Sequence, residues 1–446
     1  MAKNIVILGG GESGVGAAVL AVKRGYKVFL SDSKAIPLAL KQELQDYRIP
    51  YEELGHNTEL IMEADEVIKS PGIPEKAPLI KALKQQGTPV IGEIEFAYRH
   101  IGQSKVVAIT GSNGKSTATS LLYHICKTGG LDCALVGNIG ISFARQVALD
   151  PKPWYIAEIS SFQLDDTVSF RPFIAILLNV TEDHLDRYEY RFENYINSKF
   201  SITRNQQAGD YFIYNADDPV TIQYFNNYKI LSHPISFSMK TTERQGAFIK
   251  DEEMLLKLKE EEVRMNINDF ALKGKHNQYN TMAAGIASSI MDIRKEKIRD
   301  AVKSFEGLEH RMEKVATIKG VDYINDSKAT NINSTWFALE NIEKPVVLIL
   351  GGVDKGNDYS LIEELVQDRV KGIICLGLDN SKIVAAFAGK EKPLTEVQSM
   401  KDAVKEAYRL AEKGDVVLLS PACASFDLFQ NYEDRGRQFK NAVIEL

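Results

Sequence analysis

Three observations predict an α/β protein of three domains. Its 446 residues exceed what one hydrophobic core can serve. Two apolar strands, residues 4–8 and 106–109, each run straight into a glycine-rich turn and then a helix pattern. The same alternation returns from residue 321, and strands alternating with helices imply parallel sheets covered on both faces. The expected domains span 1–100, 101–307 and 308–446.

In the first segment, strand 4–8 leads into Gly9-Gly10-Gly11-Glu12-Ser13-Gly14-Val15-Gly16. An Ala-rich helix follows to Arg24, and a second strand, 27–30, ends near Asp32. Gly9, Gly11 and Gly14 fit the pattern G-x-G-x-x-G, and Asp32 lies where a ribose-binding acid belongs, so a Rossmann-like domain is expected. An NAD-type site is one reading, but any ligand with a pyrophosphate can use the same turn. A further strand, 66–69, ends in Ser70-Pro71-Gly72, at the edge where such sheets bind ligands.

The second segment opens with Val-Val-Ala-Ile-Thr-Gly-Ser-Asn-Gly-Lys-Ser-Thr, residues 106–117, which predicts a P-loop ATPase-type α/β domain. Gly111, Ser112, Asn113, Gly114, Lys115, Ser116 and Thr117 would cradle the phosphates of a nucleotide triphosphate. Lys115 would reach the β and γ phosphates, and the Ser116 hydroxyl would sit on Mg²⁺. Gly111 and Gly114 enclose two residues where the common phosphate loop places four. The bland alternative is a glycine turn before a helix. Further strands are expected at 134–136, 155–159, 174–178 and 211–214, and the charged, alternating stretch 247–267 reads as β-hairpins at the domain edge.

Polar clusters follow several of these strands. Glu158 is an acid in an apolar run, where an unpaired charge is costly, and either a Mg²⁺ shared with Ser116 or a structural partner would satisfy it. The loop Asn179-Val180-Thr181-Glu182-Asp183-His184-Leu185-Asp186-Arg187-Tyr188 offers His184 to a cation and Asp183 as a proton acceptor, although loops carry such residues for solubility alone. Lys199, on a helix, reads locally as a solvated charge.

The third segment, again Rossmann-like, has strands at 321–324, 346–350, 372–376 and 416–419 and a helix at 400–413. Loops 325–331, 351–355 and 420–426 follow strands and should converge on one crevice. Lys328, Thr330, Lys355 and Ser425 suit an acidic ligand as a set, while each lysine alone reads as solvated. Cys423 reads as a small packed residue.

Composition limits the function. The net charge of −6 argues against nonspecific nucleic-acid binding. No run approaches a membrane span, and no signal peptide opens the chain, so a cytoplasmic protein without integral membrane contact is expected. Four scattered cysteines outline neither a disulfide framework nor a zinc site.

Taken in order, these blocks resemble the Mur ligase family across essentially the whole chain. The carriers are the Gly9 loop, the phosphate loop, Gly137-Asn138-Ile139-Gly140, Glu158 with Ser160-Ser161-Phe162-Gln163-Leu164, residues 179–188, Asn325-Asp326-Ser327-Lys328-Ala329-Thr330-Asn331 and Ser420-Pro421-Ala422-Cys423-Ala424-Ser425. The last two blocks and Ser-Ser-Phe-Gln-Leu look specific to the D-glutamate-adding branch. The resemblance implies an ATP-dependent amide ligase of cytoplasmic peptidoglycan synthesis, joining D-glutamate to UDP-N-acetylmuramoyl-L-alanine through an acyl phosphate, as a monomer. It implies that Glu12, Ser13, Asp32, Ser70, Gly72 and Asn138 surround the UDP-sugar. Asn277, Arg311 and Asp326 would join the phosphate loop around ATP, and Lys328, Thr330, Lys355, Ser425 and Tyr432 would hold D-glutamate. Two Mg²⁺ ions would use Ser116, Glu158, His184 and a carbamylated Lys199, with Lys115, Asn138, Asp183, His184 and Lys199 forming the catalytic set. Glu12, Lys34 and Tyr432 depart from the residues usual in the family. The rival readings are a folylpolyglutamate synthetase, an NAD-dependent oxidoreductase and a nucleotide-binding switch.

Overall fold

The computed structural model describes residues 2–240, 245–258, 261–307, 309–354, 356–389 and 392–446. The chain forms three sheets, grouped in two compact units, Met1–Phe305 and Glu306–Leu446.

The first sheet is all parallel, in the order Tyr51–Glu52, Lys27–Ser31, Asn4–Leu8, Glu66–Lys69, Val90–Gly92. Its central strand is a continuous apolar run because helices cover both faces. The second sheet places Lys105–Thr110 between Ile174–Leu177 and Trp154–Glu158, with Cys133–Gly137 at one edge. Toward the other edge run Tyr211–Asn215, His233–Ser238, Gly246–Lys250, Glu253–Leu258 and Glu261–Asn266. The last three form the expected hairpins, antiparallel to one another. In the third sheet the order is Glu313–Ile318, Val321–Asn325, Val416–Leu419, Val346–Leu350, Val370–Leu376, Leu394–Val397. Glu313–Ile318 is antiparallel to its neighbour, an exception to the expected parallel pattern. Among the described residues no helix is long and apolar enough to cross a membrane.

The first two sheets belong to one compact unit because they share a core. One apolar cluster runs from Ile5 and Val15 through Ile94 to Phe143, Tyr155 and Phe212. Buried polar latches join the same layers. Lys69 pairs with Asp166 at 2.5 Å, and the Glu95 carboxylate accepts from the N–H groups of Val168, Ser169 and Phe170. Glu93 accepts from Ser142 Oγ at 2.7 Å and from the Ala144 N–H at 2.6 Å. The third sheet has apolar clusters of its own on its two faces.

Burial pushes the Glu93 carboxyl from its ordinary 4.5 up to about 7. Between those values the folded chain holds a proton that the unfolded chain releases, so this contribution is complete at low pH and is lost as pH rises toward 7. Glu93→Gln should therefore lose less melting temperature than the parent between about pH 5 and about pH 8. Equal slopes in the two melts would mean that Glu93 is ionised throughout.

Candidate active site

The glycine turn is assembled by side chains from neighbouring strand ends. Asp32 accepts from the Gly10 N–H at 2.6 Å and from the Lys34 N–H at 2.7 Å, so both its oxygens shape backbone. Ser70 Oγ lies against Gly9, where a Cβ would come within 2.3 Å of it, and Gly9 has φ +104°; only glycine fits. Glu12 and Ser13 open the helix Glu12–Lys23, and Glu12 forks onto Arg145. The Pro71 and Gly72 carbonyls accept from Arg187, whose guanidinium lies 4.4 Å from the Phe162 ring centre. The two loops that bear Gly72 and His184 are thus tied together.

The phosphate loop leads from Lys105–Thr110 into the helix Lys115–Thr128, which buries Ser116 and Thr117. Its short glycine spacing is supported from outside. The Asn113 N–H donates to Asn179 Oδ1 at 2.9 Å, Asn179 Nδ2 returns a bond to the Asn113 carbonyl at 3.1 Å, and Ser112 Oγ accepts from the Thr181 N–H at 2.9 Å. Lys115 Nζ donates to the Gly111 and Ser112 carbonyls at 2.8 and 2.9 Å.

Glu158 ends the neighbouring strand, in register with Ile109 on one side and Gly137 on the other. It is 1% exposed; Oε1 accepts from Asn138 Nδ2 at 2.7 Å, while Oε2 is buried with no hydrogen-bond partner among the described residues. An orphaned buried carboxylate oxygen beside a phosphate loop suits a divalent cation. The Ser-Ser-Phe-Gln block just after it has a structural account: it is a capping box, with the Gln163 N–H donating to Ser160 Oγ and the Ser160 N–H donating to Gln163 Oε1.

Lys199 is not the solvated charge that its local sequence implies. It is 1% exposed on the helix Phe192–Phe200, and Nζ donates to the Gly111 carbonyl at 2.8 Å. Desolvation, with the charge of Lys115 beside it, holds the amine well below its ordinary value. His184 has φ +54°, a left-handed conformation unusual for a non-glycine residue, and its ring packs edge-on against Phe162; Asp183 lies 3.6 Å from it.

Two residues here escaped sequence reasoning. Asn280 is buried against Gly114, where a Cβ would come within 2.5 Å of Oδ1, and it donates to Asn277 Oδ1 at 3.2 Å. Its signal was present: Asn277 and Asn280 are three apart and share a helix face. Tyr195 lies one turn before Lys199, its hydroxyl 3.2 Å from Ser112 Oγ and its ring centre 4.5 Å from Lys199 Nζ. Asn277 itself is anchored through Nδ2 to the Lys273 carbonyl.

In the second unit, Asp326 is buried, accepts from Ser420 Oγ at 2.9 Å, and is pushed up to about 6 by desolvation, against the pull of Arg311. Arg311 Nε is buried without a hydrogen-bond partner among the described residues. Lys328 Nζ lies 5.3 Å from the Tyr432 ring centre, and Ser327 Oγ donates to the Tyr432 carbonyl. Thr330 is half-buried and Ser425 buried on the neighbouring loops. Lys355 lies outside the described residues. Cys423 is packed as expected, burial pushing its thiol up to about 11.

Arg435, unremarked in the sequence, binds these loops together. It is 1% exposed and donates to Ser327 Oγ at 3.0 Å and to the carbonyls of Ser327, Cys423 and Gly351 at 2.8, 3.1 and 3.4 Å. Burial pulls the guanidinium down to about 10. Among the described residues, Glu309, His310 and Glu313 also have metal-ligand proximity, but Lys440 already pairs with both glutamates, at 2.9 and 2.6 Å.

Three family models match the chain in series: Mur ligase MurD-like, N-terminal domain over residues 3–92, Mur ligase middle domain over 109–288, and Mur ligase, glutamate ligase domain over 310–423. The UDP-N-acetylmuramoylalanine–D-glutamate ligase of Christiangramia forsetii is 52% identical over 446 residues, covering 100% of both chains. That of Bacteroides fragilis is 52% identical over 447 residues, with the same coverage. Among solved structures, a pseudomurein peptide ligase type C from Methanothermus fervidus shares the fold, with a TM-score of 0.63 at 18% identity over 99% of each chain. The oxidoreductase and switch readings fall. With half of all positions identical to such enzymes from end to end, and three matching domains in the same order, the chain belongs to the Mur ligase family and is a ligase.

Proposed function

We propose that this enzyme joins D-glutamate to UDP-N-acetylmuramoyl-L-alanine with ATP, through an acyl phosphate, in cytoplasmic peptidoglycan precursor synthesis. The observation that carries the phosphoryl-transfer half is Glu158, whose unpartnered Oε2 is buried beside the phosphate loop. Ser116 and Glu158 would hold one Mg²⁺, and His184 with a carbamylated Lys199 a second, the ions neutralising charge on the phosphoryl oxygens.

A carboxylate is a poor acyl donor, so the terminal alanine carboxylate first attacks the γ-phosphorus of ATP and ADP leaves. Lys115 stabilises charge on the transferred oxygens. The D-glutamate amine then attacks the acyl carbon, loses a proton, and phosphate departs as the amide forms. Asn138 positions the acyl end, and Asp183 is placed to accept the amine's proton. Ser13, Asp32, Ser70 and Gly72 surround the UDP-sugar together with Glu12. Asn277, Arg311 and Asp326 contact ATP, and Lys328, Thr330, Lys355, Ser425 and Tyr432 hold D-glutamate.

Carbamylation is supported by the state of Lys199. A neutral amine adds to CO₂ and loses a proton, and burial keeps this amine neutral far below its ordinary value. We further propose a monomer with domains at 1–100, 101–307 and 308–446. Phosphate release from ATP should require UDP-N-acetylmuramoyl-L-alanine and D-glutamate together. Turnover with L-glutamate and a folate would overturn this assignment.

A further inference from the structure

We infer that Glu12 is a positioning residue: Arg145 holds its carboxylate aside, neutralising an acid at the mouth of the diphosphate turn and tying that turn to the Asn138 loop. The inference rests on the reading that the Gly9 turn receives the UDP-sugar.

Glu12 is the first residue of the helix Glu12–Lys23, whose N-terminal N–H groups would attract phosphate. A free carboxylate there would repel the same ligand. Instead, Glu12 Oε1 accepts from Arg145 Nε at 2.8 Å and Oε2 from Nη2 at 2.9 Å, a bidentate fork. The remaining Arg145 nitrogen, Nη1, pairs with Glu43, so all three guanidinium nitrogens are engaged by the two acids. Arg145 is buried although Glu12 is half exposed, so the arginine is the fixed partner and the glutamate the one it restrains.

The fork is also mechanical. Arg145 belongs to the helix Phe143–Leu149, which follows the Gly137–Gly140 segment that carries Asn138. The Ser142 N–H donates to Glu12 Oε1 at 3.4 Å, and Glu93 grips Ser142 and Ala144 from the same side of the first sheet. The first-sheet layer and the segment after the Asn138 loop are therefore joined by the Glu93 bonds as well as by the fork, so that Glu12→Gln leaves them held.

A double-mutant cycle on the full chain, read as binding of UDP-N-acetylmuramoyl-L-alanine by calorimetry, tests this. Glu12→Gln should bind about threefold more tightly, because the acid is gone and Arg145 remains. Arg145→Met should bind about tenfold more weakly, because the acid is released. The pair Glu12→Gln/Arg145→Met should recover most of that loss. Unchanged or weaker binding by Glu12→Gln would overturn the inference, as would a double variant as weak as Arg145→Met, which would make Arg145 a direct ligand contact. If Arg145→Met fails to fold, Glu12→Gln alone decides. A parent enzyme that does not bind the UDP-sugar overturns the reading of the turn itself, whereas normal parent binding with either adverse pattern overturns only the role of Glu12.

Discussion

Lys115→Ala is expected to lower the rate of phosphate release by about a thousandfold, the scale of losing a charge that meets the transition state. The Nζ donates to the loop's own carbonyls, Gly111 and Ser112, so it is held at the loop that, on the proposed reading, receives the phosphates. Steady-state release of phosphate, with circular dichroism to confirm the fold, checks this. The loop should survive, since Asn179 and Thr181 hold its backbone independently of the lysine. Near-normal ligation by the variant would remove Lys115 from the chemistry.

On the proposed reading, Lys199→Ala should cost a comparable factor, about a hundred to a thousandfold, because it would remove the carbamate's oxygen ligand where charge develops. The parent enzyme offers a direct readout. Incubated with ¹³C-labelled bicarbonate, it should show one carbamate carbon resonance that Lys199→Ala lacks. Its pH dependence follows from the lowered amine: the neutral, reactive form grows as pH rises, and because desolvation lowers this amine well below 10.5, labelling should begin at lower pH than for an exposed lysine. A parent enzyme that shows no such resonance while fully active would exclude the carbamate.

Much of this architecture was legible because its signals are local. The phosphate loop, the central apolar strands and the hairpins after residue 246 are each written in a few consecutive residues. The short strands Tyr51–Glu52 and Val90–Gly92 have too few residues to carry a period, and Pro234 interrupts the pattern of His233–Ser238. Leu394–Val397 and the antiparallel Glu313–Ile318 were missed for their mixed polar composition.

Site residues divide the same way. Asp32 could be placed from spacing, but that both its oxygens serve backbone N–H groups depends on where Gly10 comes to lie. Lys199 is buried by Tyr195 and by a carbonyl 88 positions away, and no window of sequence contains both. Arg435 sits in Glu-Asp-Arg-Gly-Arg, which reads as a solvated helix face. Its burial is a property of three distant loops.

That arginine has a consequence for divergence. Three of its four bonds go to main-chain carbonyls and one to a serine hydroxyl. It therefore constrains the path of the acceptor loops while leaving nearly all their side chains at liberty. If these loops hold the incoming amino acid as proposed, descendants of this enzyme could retune which one they accept by substitution alone, whereas an insertion or deletion in any one loop would be felt at once by the other two.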